Sequence, residues 1–375
     1  MWQKTVFDSE NQKIKFLIKF VAAFWFLTKL WSYKTWIIER EYPVIPPFDF
    51  LKQVPADFHL TLFCLSLINL LLVVFFRRKK WMLISLFLLE FFSCALDTVR
   101  WQPWQYMYMC MLLLIILNFS KPKNIVFLFH LFLVGMYLFS GLHKLNRDFL
   151  YTFWMNTVLQ EFFGLSLKNI LKFKLFFFGL LIPVIEIGLA VLLLVVKSKR
   201  RIISYFLIAI HISILIIIGP AGLGYNSVVW FWNLALIFIL LILYTSPVKY
   251  IGTKLMLKQF YWVVLWFLMP VLSFFGLWYQ YFSFNLYSGK GYQMYVCVNK
   301  NVDGLKPYLE PVLGRFCKDK PYLILQNWAM AEIKSAPLPE FEIYKKISNE
   351  IKKKYGDKSV RVFLYNTRTK KTEEL

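Results

Sequence analysis

Nine times between residues 16 and 278 the chain returns to an apolar run of spanning or near-spanning length. The runs are 16–33, 58–76, 81–97, 104–119, 124–141, 175–196, 202–219, 228–245 and 259–278. A helix needs about 20 apolar residues to cross the hydrocarbon core. Backbone facing lipid must also pair its own N–H and C=O groups, which favours helices over irregular chain. The pattern predicts an all-α polytopic membrane protein of about nine transmembrane helices with a small α+β C-terminal region. The run 104–119 is short enough to thin the bilayer or to fail to cross.

Composition excludes the main soluble alternatives. Hydrophobic residues make up 59% and charged ones only 17%, against about a quarter charged in an ordinary soluble domain. The 39 Phe, 21 Tyr and 14 Trp must face something besides water, and lipid is the expected answer. Asp8 and Glu10 precede the first run and no small-residue cleavage site follows it, so a cleavable leader is not read here.

The balance of 44 Lys+Arg over 21 Asp+Glu gives a net charge of +23. Much of it sits in short connections between apolar runs, a pattern of topology and anionic lipid rather than of nucleic acid. Arg77–Lys80, Lys121 with Lys123, the Lys197–Arg201 group, and Lys249, Lys254 and Lys258 follow alternate runs. This alternation predicts a multi-pass protein of the cell membrane with a cytoplasmic N-terminus and a C-terminal region on the far side. The segment 142–174 departs from it, with Lys144, Arg147, Lys168, Lys172 and Lys174 on the predicted outer side. A functional or re-entrant segment, or a missed span, accounts for that.

Two domains are expected, a helical one over 1–278 and an extramembrane one over 279–375. The latter holds an amphipathic stretch, Phe341–Tyr355, with Ile343, Ile347 and Ile351 on one stripe, and strand-like segments at Tyr322–Leu325 and Ser359–Tyr365. Thr367–Leu375 reads as solvated and frayed. Asn285–Gly291 reads as a turn, as does the charge-free Gly219–Asn226, with a lid over a lipid headgroup as the functional alternative. Cys64, Cys94 and Cys110 lie in apolar runs, whereas Cys297 and Cys317 share the tail and would pair if it is exported. Neither metal-ligand spacing nor a phosphate-cradling motif is found.

Ionisable groups inside spans are expensive and so are candidates for function. Glu90, His130, Glu186 and His211 qualify, with Asp97 at a span end; the alternative role for each is interhelical glue. In Gly135–Phe149, helical spacing places His130, Tyr137, Gly141 and Lys144 near one face. His130 then lies about 21 Å from Lys144 along the axis, too far for one proton-transfer site. Gly141 allows a helix or a flat ligand to approach the backbone. Lys144 has two fates: its ammonium snorkels to the interface, or desolvation leaves it neutral enough to act as a base. Upstream, Arg100, Gln102 and Gln105 alternate with Trp101, Trp104 and Tyr106, either an aromatic belt or one wall of a site.

The run followed by Gly141-Leu142-His143-Lys144-Leu145-Asn146 resembles the vitamin K-dependent gamma-carboxylase and its bacterial relatives, the horizontally transferred transmembrane (HTTM) proteins. In that family a lysine of this motif deprotonates reduced vitamin K. The resemblance implies Lys144 as base, His143 as its basic neighbour, and a reduced quinone as cofactor. Asn146 stands where the carboxylase has an acidic residue, and Asp97–Tyr106 lacks the histidine that family carries before an earlier span. The tail is also much shorter, so neither propeptide recognition nor glutamate carboxylation is implied.

The expected site is therefore catalytic Lys144, His143 and Arg100, with a quinone or isoprenoid ligand against Tyr137, Gly141, Trp101, Gln102, Trp104, Glu186 and Asn146. Arg100 would position an anion or a developing oxyanion. Membrane lipids are the expected surroundings and nucleic acid is not an expected partner. The competing class is a non-enzymatic transporter or scaffold in which Glu90, Glu186 and His211 are helix glue or proton-coupling groups.

Overall fold

The computed structural model describes residues 9–76, 79–249, 252–285, 288–289, 291–299, 302–311, 317–318, 320–367 and 369–375. Arg77, Arg78 and the Leu286, Tyr287 and Lys290 positions of the expected turn lie outside the described residues, as does the polar lead through Asp8. The chain divides into two compact units. One draws on Met1–Thr28, Ser66–Leu88 and Pro103–Gly289, the other on Lys29–Leu65, Leu89–Gln102 and Lys290–Leu375.

Each of the nine apolar runs contains helix: α1 Glu10–Trp31, α3 Ala56–Phe75, α4 Lys80–Ala95, α5 Pro103–Leu117, α6 Pro122–Lys144, α8 Leu181–Val195, α9 Arg200–Ile218, α10 Val228–Leu243, and α12 Phe260–Val263 continuing through a wide turn into α13 Met269–Ser273. A short α2, Tyr33–Trp36, follows α1. The count of nine crossings does not survive. Among the described residues four helical stretches are long and apolar enough to cross a membrane: Ala56–Phe75, Pro122–Lys144, Leu175–Val195 and Lys197–Ile218.

The reasons are physical. Helix α1 reaches 22 residues but carries Glu10, Lys13, Lys15, Lys19 and Lys29. Helix α5 has 15 residues, and α4 and α10 have 16 each, about 24 Å of rise or less against a core of about 30 Å. Apolar runs of such length also suit helices buried in protein, and α5 is one: every residue from Pro103 to Leu112 is buried.

Protein rather than lipid covers much of the aromatic surplus in this first unit. Trp25 stacks on Tyr108 with centroids 5.3 Å apart, and Tyr108 meets Trp232 edge-on at 4.9 Å. Trp262 stacks on Trp266 at 4.6 Å, and Phe20 on Phe238 at 4.6 Å. Basic side chains also finish helices, as cations favour C-terminal carbonyls. Lys13 Nζ donates to Leu243 O at 2.8 Å, at the end of α10, and to Ser246 O at 3.1 Å just past it; Arg200 donates to Leu193 O at 2.9 Å and Leu194 O at 3.1 Å in the last turn of α8.

The 142–174 segment is helical here too. After α6 comes a wide helix with i→i+5 turns over Phe149–Phe162, then α7 at Leu167–Lys172, and a 3-10 stretch, Leu175–Leu180, that runs into α8. A further short helix, α11, spans Thr253–Lys258.

The second unit corrects the all-α reading. Strands β1 Tyr292–Val298, β2 Tyr322–Ile324, β3 Val360–Asn366 and β4 Thr372–Glu374 form an antiparallel sheet in the order β2-β1-β3-β4. Helices α14 Leu325–Ile333 and α15 Phe341–Tyr355 belong to the same unit. On α15, Ile347 and Ile351 are buried and Ile343 packs against their cluster, as the stripe requires. Alternation places Met294, Val296, Val298, Val360, Val362 and Leu364 inside. Tyr42, Ile45 and Val99 complete this core from far upstream. Although exposed, the last residues are paired rather than frayed: β4 joins β3, and Arg361 forms an ion pair with Glu374 at 2.6 Å. Cys297 and Cys317, with Cα atoms 5.4 Å apart, form a disulfide.

Candidate functional site

Within the first unit, α6 carries a column of polar side chains one to two turns apart: His130, Tyr137, Ser140 and Lys144. Lys144 is buried and its Nζ donates to Glu186 Oε1 at 2.6 Å, Glu186 Oε2 at 2.8 Å and Ser140 Oγ at 2.9 Å. Glu186, on α8, also accepts from Ser140 at 3.3 Å. Gly141 makes this meeting feasible. A Cβ there would stand 2.7 Å from Ile187 Cγ1 and 2.9 Å from Pro183 O, so only glycine lets α8 come this close.

One turn back, Tyr137 Oη and His211 Nε2 are 2.6 Å apart, and His211 Nδ1 lies 2.8 Å from Asn233 Oδ1. Asn233 Nδ2 donates to Val229 O at 2.8 Å, which leaves Oδ1 as the acceptor and makes Nδ1 of His211 the donor. A neutral imidazole then accepts the Tyr137 proton at Nε2. His130 Nδ1 meets Tyr244 Oη at 2.8 Å.

His143 turns another way. Its ring stacks on Phe274 at 4.3 Å and its Nε2 lies 3.3 Å from Ser273 Oγ. Asn146 donates to His143 O at 2.7 Å and to Ser288 O at 3.0 Å, and its Oδ1 accepts from Phe149 N at 3.0 Å. That is a helix-starting turn whose amide is filled by local backbone and by the carbonyl of Ser288. Trp104 is buried with its ring edge-on to Tyr108 at 6.4 Å.

The second unit holds Arg100, Trp101 and Gln102, and with them a denser charged knot. Arg100 is fully buried. Its Nε donates to Thr35 O at 3.1 Å, Nη1 to Ser93 O at 2.9 Å and Ser93 Oγ at 3.3 Å, and Nη2 to Trp36 O at 2.8 Å and His59 Nδ1 at 2.9 Å. Because a guanidinium only donates, His59 Nδ1 is the acceptor. Burial brings the Arg100 pKa down to about 10, which leaves it a cation at neutral pH. With its five N–H groups engaged, none is left for a substrate anion.

Beside it, Arg40 pairs with Asp97, both side chains buried, and Asp97 Oδ1 accepts from Ile45 N at 3.2 Å and Val99 N at 3.3 Å. Lys29 Nζ sits between Glu90 Oε1 at 2.8 Å and Oε2 at 2.7 Å, and 3.7 Å above the centre of the Trp36 ring. Gln102 ties Val99 O and Ala336 O, each at 2.7 Å. Trp101 meets Phe91 edge-on at 6.3 Å. Glu332 accepts from Glu41 N at 2.6 Å, Tyr42 N at 2.9 Å and Trp328 Nε1 at 2.8 Å.

The expected site residues thus fall into different units. Lys144, Glu186, Tyr137, Gly141, His143, Asn146 and Trp104 belong to the first, and Arg100, Trp101 and Gln102 to the second. Sequence reasoning missed Lys29, Arg40 and His59. A signal for Lys29 was present: Glu90 inside an apolar run called for a cation, and Lys29 lies within the first run. Among the described residues no group of three His, Cys, Asp or Glu is placed to hold a metal ion.

No family model, no curated protein and no solved structure matches this chain. Nothing in these comparisons tests the resemblance to the gamma-carboxylase family or supports a quinone ligand, and it is the fold that corrects the fully polytopic enzyme the resemblance implied. Among the described residues the fold has four spanning-grade helices and a mixed sheet unit instead of a fully polytopic helical body, and Lys144 Nζ lies within hydrogen-bond distance of three acceptors.

Proposed function

We propose that the chain is a non-enzymatic membrane protein, a scaffold whose buried charges fix helix positions. The observation that carries this reading is donor saturation: Lys144 and Arg100, the two cations best suited to chemistry, spend their N–H groups on internal acceptors. A buried ion pair rarely adds net stability over an apolar pair, but it specifies which faces meet. The apolar helices supply the membrane contact. Two features support an exported sheet unit and a cytoplasmic 197–201 group: the Cys297–Cys317 disulfide, which belongs to oxidising compartments, and the basic residues of that connection.

The test is a paired substitution. Lys144→Met alone leaves Glu186 buried without its partner and lowers stability by about 3–5 kcal/mol, read as thermal unfolding of the detergent-solubilised chain. Lys144→Met with Glu186→Leu recovers most of that loss. At matched membrane abundance the double variant complements a deletion strain as the wild type does. A double variant that is abundant and folded yet fails to complement ends the scaffold reading.

One observation favours a second reading, proton-coupled transport: His130 Nε2 is buried without a hydrogen-bond partner, on the helix that also carries Tyr137, which meets His211 of α9. In proteoliposomes, a pH-gradient collapse that the wild type supports and His130→Phe abolishes would replace scaffold by transporter.

A further inference from the structure

The connection from α6 to α8, flagged in the sequence by misplaced lysines, is not used by the buried network. From Phe162 to Ile185 it contains no acidic residue, and Lys168, Lys172 and Lys174 are all exposed. Beside them Phe163, Leu167, Leu171, Phe173, Phe177 and Phe178 stand 47–60% exposed. These apolar side chains are held out by an ordered frame. Ile170 is fully buried beneath α7, and Ser166 Oγ accepts from Asn169 N at 3.3 Å to start that helix. Trp154 Nε1 donates to Leu175 O at 3.1 Å, and Gly179 lies so close to Trp154 that a Cβ would stand 2.6 Å from its ring.

The pattern on α7 is that of a helix lying in an interface. Leu167 and Leu171 are one turn apart, as are Lys168 and Lys172, so an apolar stripe runs alongside a cationic one. Lys174 has a left-handed backbone, φ 51°, and turns the chain into Leu175–Val195, itself long and apolar enough to cross a membrane. Phe177 and Phe178 fall within that stretch, so the exposed patch is continuous with a lipid-facing one.

We propose that residues 163–178 form an interfacial foot that binds the anionic headgroups of membrane lipid through Lys168, Lys172 and Lys174, with the leucine and phenylalanine side chains entering the acyl region below. Two features select lipid as the occupant: three cations in a stretch, 162–185, that carries no acid, and direct continuity with a spanning-grade helix. The lysine stems cover apolar surface while their ammonium groups reach phosphate. The foot rests on the membrane reading above and adds the lipid class and the residues.

The experiment titrates the full-length protein, in a mild non-ionic detergent, with phosphatidylglycerol or phosphatidylcholine and follows the unfolding temperature. Phosphatidylglycerol is expected to raise it at lower concentration than phosphatidylcholine. Each lysine near an anionic surface contributes about fivefold in affinity, so Lys168→Gln, Lys172→Gln and Lys174→Gln together move the phosphatidylglycerol midpoint upward on the order of a hundredfold. The corresponding triple Arg variant retains the selectivity. Equal response to the two lipids, selectivity surviving in the Gln triple, or selectivity lost in the Arg triple overturns the foot. No response to either lipid strikes the membrane reading itself, so the two failures are distinguishable.

Discussion

A cation at the end of an apolar run reads the same in sequence whether it is a base, a snorkelling anchor or half of an ion pair. Lys144 is paired with Glu186, 42 positions away, and one sequence does not encode that pairing locally. Arg100 is a sharper case. Its aromatic neighbours made it resemble a substrate clamp, yet its ligands are carbonyls of Thr35, Trp36 and Ser93, and backbone acceptors leave no trace in side-chain identity. Arg100→Lys keeps the charge but not the planar fork. It strands at least one or two buried carbonyls at about 1–3 kcal/mol each. The expected result is a loss of about 3 kcal/mol in thermal unfolding, with amide exchange rising around 93–101. A change confined to a binding assay, with stability intact, would return Arg100 to a ligand role.

Helices and strands with a strong period were legible element by element. The isoleucine stripe marks α15 from its first residue to its last, and alternation marks β3, because one face of each must be buried. The exposed β4 offers no such period and is held by its ladder to β3. The close approach of α6 and α8 was half legible, since Gly141 announced a near neighbour without naming it. Gly141→Ala gains about 1 kcal/mol of helix propensity but sets a Cβ against Ile187 Cγ1 and Pro183 O. A net loss of about 1–3 kcal/mol follows. Ile187→Ala on that background recovers only part of it, because the Pro183 carbonyl is backbone; full recovery in thermal unfolding would contradict the geometry.

In the sheet unit, Lys354 and then Tyr355, both at the end of α15, hold the Glu41 carboxyl below its ordinary value. A depressed folded-state value adds stability that is present above the unfolded value and lost as pH falls through the lowered one. Below about pH 4.5 the wild type should therefore lose stability faster than Glu41→Gln. Both Glu41 and Lys354 are partly exposed, so the difference will be small. Parallel acid-unfolding curves for the two proteins would remove this contact from the account.

At the scale of the whole molecule, hydropathy located the helices and misjudged what surrounds them. Apolar length does not distinguish a helix wrapped by protein from one wrapped by lipid, and α5, buried throughout its first ten residues, shows the difference. Nor does it reveal that Tyr42, Ile45 and Val99 complete the core beneath a sheet whose first strand starts only at Tyr292; most of the helical unit lies between them along the chain. Sidedness remains testable because two independent chemistries bear on it, thiol oxidation and lysine placement. Lys353 and Lys199 are both exposed, and each is replaced singly by cysteine in intact cells. A membrane-impermeant maleimide is expected to label Lys353→Cys at once and Lys199→Cys only after permeabilisation. The native Cys297–Cys317 bridge serves as an internal control, since it reacts only after reduction. Labelling of Lys199→Cys from outside would place basic residues on the exported side. The lysine argument would then have no force, and sidedness would stand on the disulfide alone.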